Sequence, residues 1–508
     1  MKKKRTIFTK DWMTLHPFAQ SDETDLYYAN IADKVYALVE DSEYAKLMRN
    51  KGNMIYLSLC LTSWFEDVIS QLGIWKAFST ECKRRYGTYI PFYDTDGSYS
   101  QDDINLADVK FLLWHHVQQL YFDDRFIFPN MKGLDALAEE VFSLFDAEYE
   151  TAPENTRLHS LLCEGELTGK EFYQYRDVLK WLHFGCYFNV GNGKKMQQEM
   201  QKIMPMVNDR MQADITAYGV QNDLISNSRS NLLSLTTPEW MALISRQHPK
   251  RQIWAEAKSQ EFSYYTIERE DDEYIYLKDL VTGEKNINVC KASIQMRDFS
   301  GLIKNKSAIT LCLFWYGNCW WQNGIMADMN DKKITKASVA EEKAKREHTS
   351  EKAIYDNFKK ATGGKWYAIF KDNAEFENFL TKDMGYGNIT NEILPKTTDQ
   401  SKGIIAFATP YCGLRVVFGM TPCVKVDDNP FYDKEYATEH ASEFFFDDQN
   451  IPYEVSCLLN DNGMVPDASL QGEGSEGLQP VFDANRQFII DYNLHGSREH
   501  NLSPKSLL

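Results

Sequence analysis

The chain has 508 residues, 43% hydrophobic and 25% charged, with a formal charge of −17. That length exceeds one ordinary domain, and that composition excludes global disorder, a collagen-like fibre and a disulfide-stapled mini-protein. The acidity argues against a general binder of nucleic acid or anionic lipid.

The start, Lys2 to Arg5, is basic like a signal peptide, but Asp11 and His16 interrupt the place where its apolar stretch would lie, so export is not expected. The longest near-apolar run, Met54 to Phe65, is too short to cross a bilayer. The ten cysteines contain no Cys-x-x-Cys pair, which excludes zinc ribbons and thioredoxin-type motifs. Scattered thiols and no export signal together predict a reducing cytoplasm and no membrane partner.

Residues 1–247 read as a helical domain. Asp25 to Met48, Asn53 to Leu72 and Ile74 to Tyr86 are predicted helices, with Gly73 and Gly87 as stops. A loop follows from Pro91, and Asp102 or Asp103 is the expected cap of the next helix. Its stripe is Val109, Leu113, His116 and Leu120; later stripes are Leu134, Leu137, Val141 and Leu144, then Phe172, Tyr175, Leu179 and Leu182.

Residues 248–330 alternate apolar and polar side chains at Ile287 to Val289 and at Ile309 to Trp315, the period of strands. A small SH3-like β-barrel is expected there. Residues 331–362 read as a linker helix, Lys336 to Ala361, with mixed charge and a solvated face. Residues 363–508 read as an acidic α+β domain, with strands at Trp366 to Phe370, Ile404 to Thr409, Leu414 to Phe418 and Val424 to Val426. Helices are expected at Ala374 to Lys382 and Tyr436 to Phe445, and Gly463 to Pro480 as a long loop.

Complete catalytic motifs are missing. His116 and Asp123 share a helical face but lie two turns apart, about 10 Å along the axis, which suits core packing better than chelation. Gly191 to Lys195 fails as a P-loop because Phe188 and Lys195 stand where Gly and Ser or Thr are required. Ser475 lacks the glycine two positions before it that a serine elbow needs. Gly97 and Gly463 lack the first aspartate of an EF-hand loop. His440 with Cys412, Cys423 and Cys457 offers a Cys–His pair only if the fold brings them together.

Two features remain. Tyr274, Tyr276, Trp315, Trp320 and Trp321 give the barrel an aromatic surface suited to a peptide or a cation. Between Asp427 and Asp491 fifteen acidic residues face two basic ones, so most of the chain's acidity sits in the last domain. That field argues against nucleic acid as a partner there and suits a basic protein or a divalent cation. No cofactor is identified.

Several phrases resemble an uncharacterised Bacteroidetes family, a domain of unknown function. They are Asp11-Trp12-Met13-Thr14-Leu15-His16-Pro17-Phe18, Tyr86 to Asp94, Asn429 to Asp433, Pro452-Tyr453-Glu454, Pro466-Asp467-Ala468 and Asn485 to Phe488. The resemblance covers nearly the whole chain and implies a bacterial cytosolic protein; it supplies no activity and no site residue. The expected function is a non-enzymatic protein-interaction module. The alternative is a hydrolase or nuclease-like enzyme using Glu454, Asp461 and Asp467 with a divalent cation.

Overall fold

The computed structural model describes residues 5–95, 97–121, 126–164, 171–206, 210–260, 263–296, 298–324, 326–329, 332–344, 346–347, 350–386, 400–410, 412–445, 451–462 and 475–493. The chain divides into two compact units, one through Thr335 and one from Lys336.

The first unit begins with helices. α1 (Glu23–Asp41) starts at a capping box, in which Asp22 accepts from the Asp25 N–H and Asp25 returns the bond. Its buried face is Tyr28, Ile31, Ala32, Val35, Tyr36 and Val39. α2 (Lys51–Ile69) is buried on all sides from Leu57 to Val68, Glu66 and Asp67 included. α3 (Ile74–Tyr86) is bounded by Gly73 and Gly87 at φ +82° and +80°, where a side chain would be strained.

α4 (Leu106–Tyr121) starts after Asn105, so neither Asp102 nor Asp103 caps it; Asp102 pairs with Lys76 at 2.6 Å instead. α5 (Lys132–Glu148), α6 (Glu171–Phe184), α7 (Asn192–Ile203) and α8 (Arg210–Asn227) follow. Gly191, at φ +95°, turns the chain into α7, so this stretch is a turn between helices. α9 (Thr237–Ile244) opens on a second capping box, Thr236 with Glu239.

Eight strands complete the unit: β1 (Lys258–Ser259), β2 (Ser263–Glu270), β3 (Tyr274–Asp279), β4 (Ile287–Cys290), β5 (Ala308–Leu311), β6 (Leu313–Tyr316), β7 (Cys319–Gln322) and β8 (Ala327–Met329). Their order is β1-β6-β7-β4-β3-β2-β5-β8. β4 and β7 pair in parallel through Val289 and Trp320; the other pairs are antiparallel. The sheet curls around Tyr265, Ile267, Ile275, Leu277, Val289, Ile309, Leu311 and Leu313. Among the described residues its edge strands β1 and β8 do not pair. The sheet is therefore larger than the barrel expected from the sequence, and open.

The second unit centres on an antiparallel sheet of β9 (Tyr367–Phe370), β10 (Ile404–Thr409) and β11 (Gly413–Val417), with β10 in the middle. All six residues of β10 are buried, which is why it reads as a continuous apolar run. Ile405 and Phe407 join a core with Val417, Val455 and Leu459; Ile404, Ala406 and Ala408 join one with Phe358, Phe370 and Phe376.

The expected linker helix is two helices, α10 (Lys332–Ala344) and α11 (Glu351–Ala361), the second capped by Ser350. Its face is not merely solvated. Phe358 is fully buried, and Ile354, Tyr355 and Ala361 pack on the same core. Val424 is not in a strand; it follows a short 3-10 turn, Thr421–Cys423. α12 (Lys434–Phe445) and α13 (Tyr453–Asp461) are followed by α14 (Ser475–Asn493), which carries Pro480 inside it. The end of the expected loop is thus helical, and residues 463–474 lie outside the described part.

Candidate functional site

A cleft of about 440 Å³ opens in the helical part of the first unit. That volume suits a small ligand. Five chain segments meet there, Gln101 and Asp102 forming one of them. The α2–α3 turn gives Val68, Gln71, Leu72 and Gly73; α3 gives Trp75, Lys76, Ala77 and Thr80. His159, Leu162, Cys163 and Glu164 come from a short helical stretch, and Ile244 to His248 from the end of α9.

The α2–α3 turn is built by Asp67. Its carboxylate accepts from Ile74 N at 3.2 Å, Trp75 N at 2.7 Å and the Tyr187 hydroxyl at 2.6 Å. Burial pushes this carboxyl up to about 6 while those hydrogen bonds hold it down. Asp67 therefore anchors the start of α3, and its acceptor capacity is engaged. Gln71, in the same turn, has φ +49°. A left-handed non-glycine residue is a strained backbone position, of the kind that gathers at ligand sites.

Most polar groups of the wall are also engaged. Lys76 pairs with Asp102, and the Gln101 amide donates to Ser79 Oγ at 2.7 Å and Thr80 Oγ1 at 2.9 Å. Ser160 donates to Glu164 at 2.6 Å, and the His159 Nδ1–H donates to the Ser70 carbonyl at 2.8 Å. The Cys163 thiol points to the carbonyls of Gln71 and Leu72 at 3.9 and 3.7 Å, and burial pushes it up to about 11. A thiol so held is not a nucleophile near neutral pH.

His248 is the exception. It is 3% exposed, and its Nδ1 accepts from the Lys250 N–H at 2.9 Å. Burial first, and Lys250 second, hold the imidazole down at about 4, so it is neutral at pH 7. With Nδ1 accepting, the proton sits on Nε2. Among the described residues Nε2 has no hydrogen-bond partner, and neither has Arg246 Nε, which is also buried. The His248 ring stacks on Trp254 with centroids 3.8 Å apart.

The five aromatic residues singled out in the sheet do not share one surface. Register puts Trp315 opposite Trp320, and Trp320 opposite core residue Val289, so this pair faces inward. Their rings meet edge-on at 5.4 Å. Tyr274 and Tyr276 alternate with core residues Ile275 and Leu277 and face outward. Tyr276 donates to Asp271 at 2.7 Å, and the Arg269 guanidinium lies 3.3 Å from its ring centroid. Trp321 stacks on Phe172 of α6 at 4.9 Å and donates to the Tyr316 carbonyl at 3.0 Å.

Beside Tyr274 lies a thiol that motif reading missed. Cys290, half-buried, takes a hydrogen bond from the Cys319 thiol and others from the N–H groups of Ala292 and Ser293. These hold it down to about 6 against burial. The two cysteines are 29 positions apart, and only the parallel pairing of β4 with β7 brings them together.

Glu454 and Asp461 stand at opposite ends of α13, about 10 Å apart along the axis. Asp461 pairs with Arg486 at 2.6 Å, and Asp467 lies outside the described residues. Among the described residues no group of three His, Cys, Asp or Glu side chains is placed to hold a metal ion. Other acids of this unit are drawn into its own contacts. Asp428 binds Lys365 and the Tyr367 hydroxyl, and Asp491, which is buried, accepts from Tyr453 and Gln487. His440 stacks on Tyr436 and bonds the Tyr436 carbonyl. His115 and His116 are core residues, 1% and 2% exposed. No described helix is long and apolar enough to cross a membrane.

No curated protein and no solved structure significantly matches the chain. One family profile does, described as "Protein of unknown function (DUF3843)", over residues 6–297 and 318–495. That match spans most of the sequence, and the chain belongs to the DUF3843 family.

Proposed function

We propose that this protein is a non-enzymatic binding module whose recognition site is the cleft of the helical part. One observation carries the reading: a cleft of about 440 Å³ with a partly apolar wall opens beside the Gln71 turn, whose backbone is held at φ +49°. The state of Cys163 supports binding over nucleophilic chemistry there. In this reading the curled sheet is a packed support rather than the aromatic binding surface expected of a small SH3-like barrel. The bacterial, Bacteroidetes-type source and the cytoplasmic setting suggested by the sequence go with it.

The test is a small-molecule fragment screen on the full chain by ligand-observed NMR, repeated on Thr80→Trp. Thr80 lies on the cleft wall and is partly exposed, so an indole there blocks the cleft without opening the core. Hits lost in the variant support the site. Hits that all persist overturn it. A protein partner at the aromatic residues is a separate matter; it is read by pull-down with Tyr274→Ala and Tyr276→Ala, on the outward face of the sheet.

A further inference from the structure

We propose that Cys290 and Cys319 form a redox-active dithiol, in which a hydroperoxide oxidises Cys290 and Cys319 then closes a disulfide across β4 and β7. This stands apart from the cleft reading and on different residues. The seam between the two strands is the sheet's parallel pairing, Val289 opposite Trp320. Hydrogen bonds fix that seam on either side of the cysteines. The Asn288 amide donates to the Asn318 carbonyl at 3.2 Å, and the Gln322 N–H donates to Ser293 Oγ at 2.9 Å. Cys290 lies between Asn288 and Ser293 on one side of the seam, and Cys319 lies between Asn318 and Gln322 on the other. Side chains alternate along a strand, so both thiols stand on the face opposite Val289 and Trp320, away from the core of the sheet. There they meet, the Cys319 thiol donating to the Cys290 sulfur.

The surroundings give the two thiols different tasks. Cys290 closes β4 and precedes the 3-10 turn Lys291–Ser293. The Cys319 thiol and the N–H groups of Ala292 and Ser293 hold its sulfur down to about 6, against burial and the Glu273 carboxylate. Cys290 is half-buried, so a small peroxide reaches it. Cys319 is 6% exposed, and its bond to Cys290, with burial second, keeps its thiol protonated. An accessible thiolate touching a protonated thiol is the arrangement of an oxidisable and a resolving cysteine. Burial pushes the thiols of Cys163 and Cys457 up to about 11, which disfavours them as competitors. In the first step the Cys290 thiolate attacks the terminal oxygen of the hydroperoxide. An S–O bond forms, the O–O bond breaks, and the departing oxyanion takes a proton from solvent. The sulfur is then a neutral sulfenic acid, so the charge that the Cys319 thiol was bonded to is gone. In the second step Cys319 gives up its proton and attacks the Cys290 sulfur. The S–S bond forms, the S–O bond breaks, and the hydroxide leaves with that proton as water. The two sulfurs have lost two electrons and the peroxide has gained them. A small dithiol reverses the change by exchange.

The experiment treats the reduced full chain with equimolar hydrogen peroxide at pH 7, with and without dimedone. All ten cysteines are then mapped by mass spectrometry of non-reduced peptides. The unaltered chain is expected to yield a Cys290–Cys319 disulfide within one molecule, reversed by dithiothreitol. It should form about tenfold or more faster than any oxidation of Cys163, because the thiolate is the reacting form. Cys319→Ala should stop at the sulfenic acid, so that dimedone labels Cys290. Cys290→Ala should leave Cys319 reduced. If dimedone labels Cys290 in the unaltered chain and no linked peptide forms without it, Cys319 does not resolve and the dithiol is overturned. A disulfide that first joins another pair, or joins two molecules, overturns it as well, and so does a Cys290 that stays reduced. These outcomes are read on the unaltered chain, so they judge the proposal even where a variant is unstable.

Discussion

His115→Gln should make the acid limb of the stability curve less steep. His115 is 1% exposed, and its Nε2–H donates to the Phe188 carbonyl at 3.1 Å. Burial holds the ring down at about 4, against 6.5 for an ordinary imidazole. The sign follows from which state takes up the proton first. As pH falls below 6.5 the unfolded chain protonates and the folded one does not, so stability present above 6.5 is lost progressively toward 4. At pH 5 the unfolded ring is nearly all charged and the folded ring about one-tenth charged. Linkage then assigns this residue a loss of about 2 kcal/mol between pH 7 and pH 5. Gln keeps a donor for Phe188 but cannot titrate; it should cost about 1 kcal/mol at pH 7 through altered packing. Urea unfolding of both proteins, followed by tryptophan fluorescence at pH 7, 6 and 5, reads the difference. The gap between them should close and then reverse. Parallel loss of stability in the two proteins would refute the reasoning, because it would mean that His115 is protonated equally in both states.

The alkaline side should carry the opposite sign at His16. Burial pulls this imidazole down, but the Glu66 carboxylate, 2.7 Å away, outweighs it and raises the ring above its ordinary value. The stability it contributes is full below 6.5 and lost as pH rises through the folded value; NMR titration of His16 should show the raised value, and Glu66→Gln should lower it. Phe358→Ala should destabilise the second unit by about 3–5 kcal/mol, read by urea unfolding, because Phe358 is fully buried among Phe370, Phe376 and Phe379; a loss under 1 kcal/mol would return α11 to the role of solvated linker. Cys290 should be alkylated by iodoacetamide at pH 7 well before Cys163, and Cys319→Ala should slow it by removing the thiol donor; mass spectrometry of peptides decides, and equal rates would sink the assignment. Trp321→Ala should cost about 3 kcal/mol through its lost packing on Phe172, so it tests structure, not partner binding.

Local rules carried the sequence reading where neighbours in the chain decide the outcome. α3 spans the predicted Ile74 to Tyr86 because Gly73 and Gly87 close it at both ends, and β10 spans the predicted Ile404 to Thr409 because both its faces are apolar. The reading slipped where a distant partner decides. Asp102 looks like a helix cap until Lys76 takes it. Lys336 to Ala361 looks like a solvated rod because its charges hide a stripe of Ile354, Phe358 and Ala361, which becomes an inner face only when the second sheet lies against it. Pro480 looks like a loop residue, yet it sits inside α14. The five aromatics look like one surface because the sequence does not fix which face of a strand looks outward. Pairing with Val289 settles that for Trp320, and β4 meets β7 only through the sheet's one parallel pairing.

The cleft was invisible for the same reason, and its parts explain one another. It has no motif, because its walls come from segments as far apart as Asp67 and His248. Its His248 is held from behind by a run of stacked rings. His248 stacks on Trp254, Trp254 stacks on Tyr175 at 5.6 Å, and Tyr175 lies 5.0 Å from Tyr316 of β6, where the Trp321 indole is bonded. Aromatic packing of this kind fixes a side chain at low entropic cost, since each ring has few rotamers to lose. An N–H kept unpaired in a buried site survives only if its neighbours prevent the ring from turning to find a partner. The stack of Trp254, Tyr175 and Tyr316 thus fixes the His248 ring on the cleft wall.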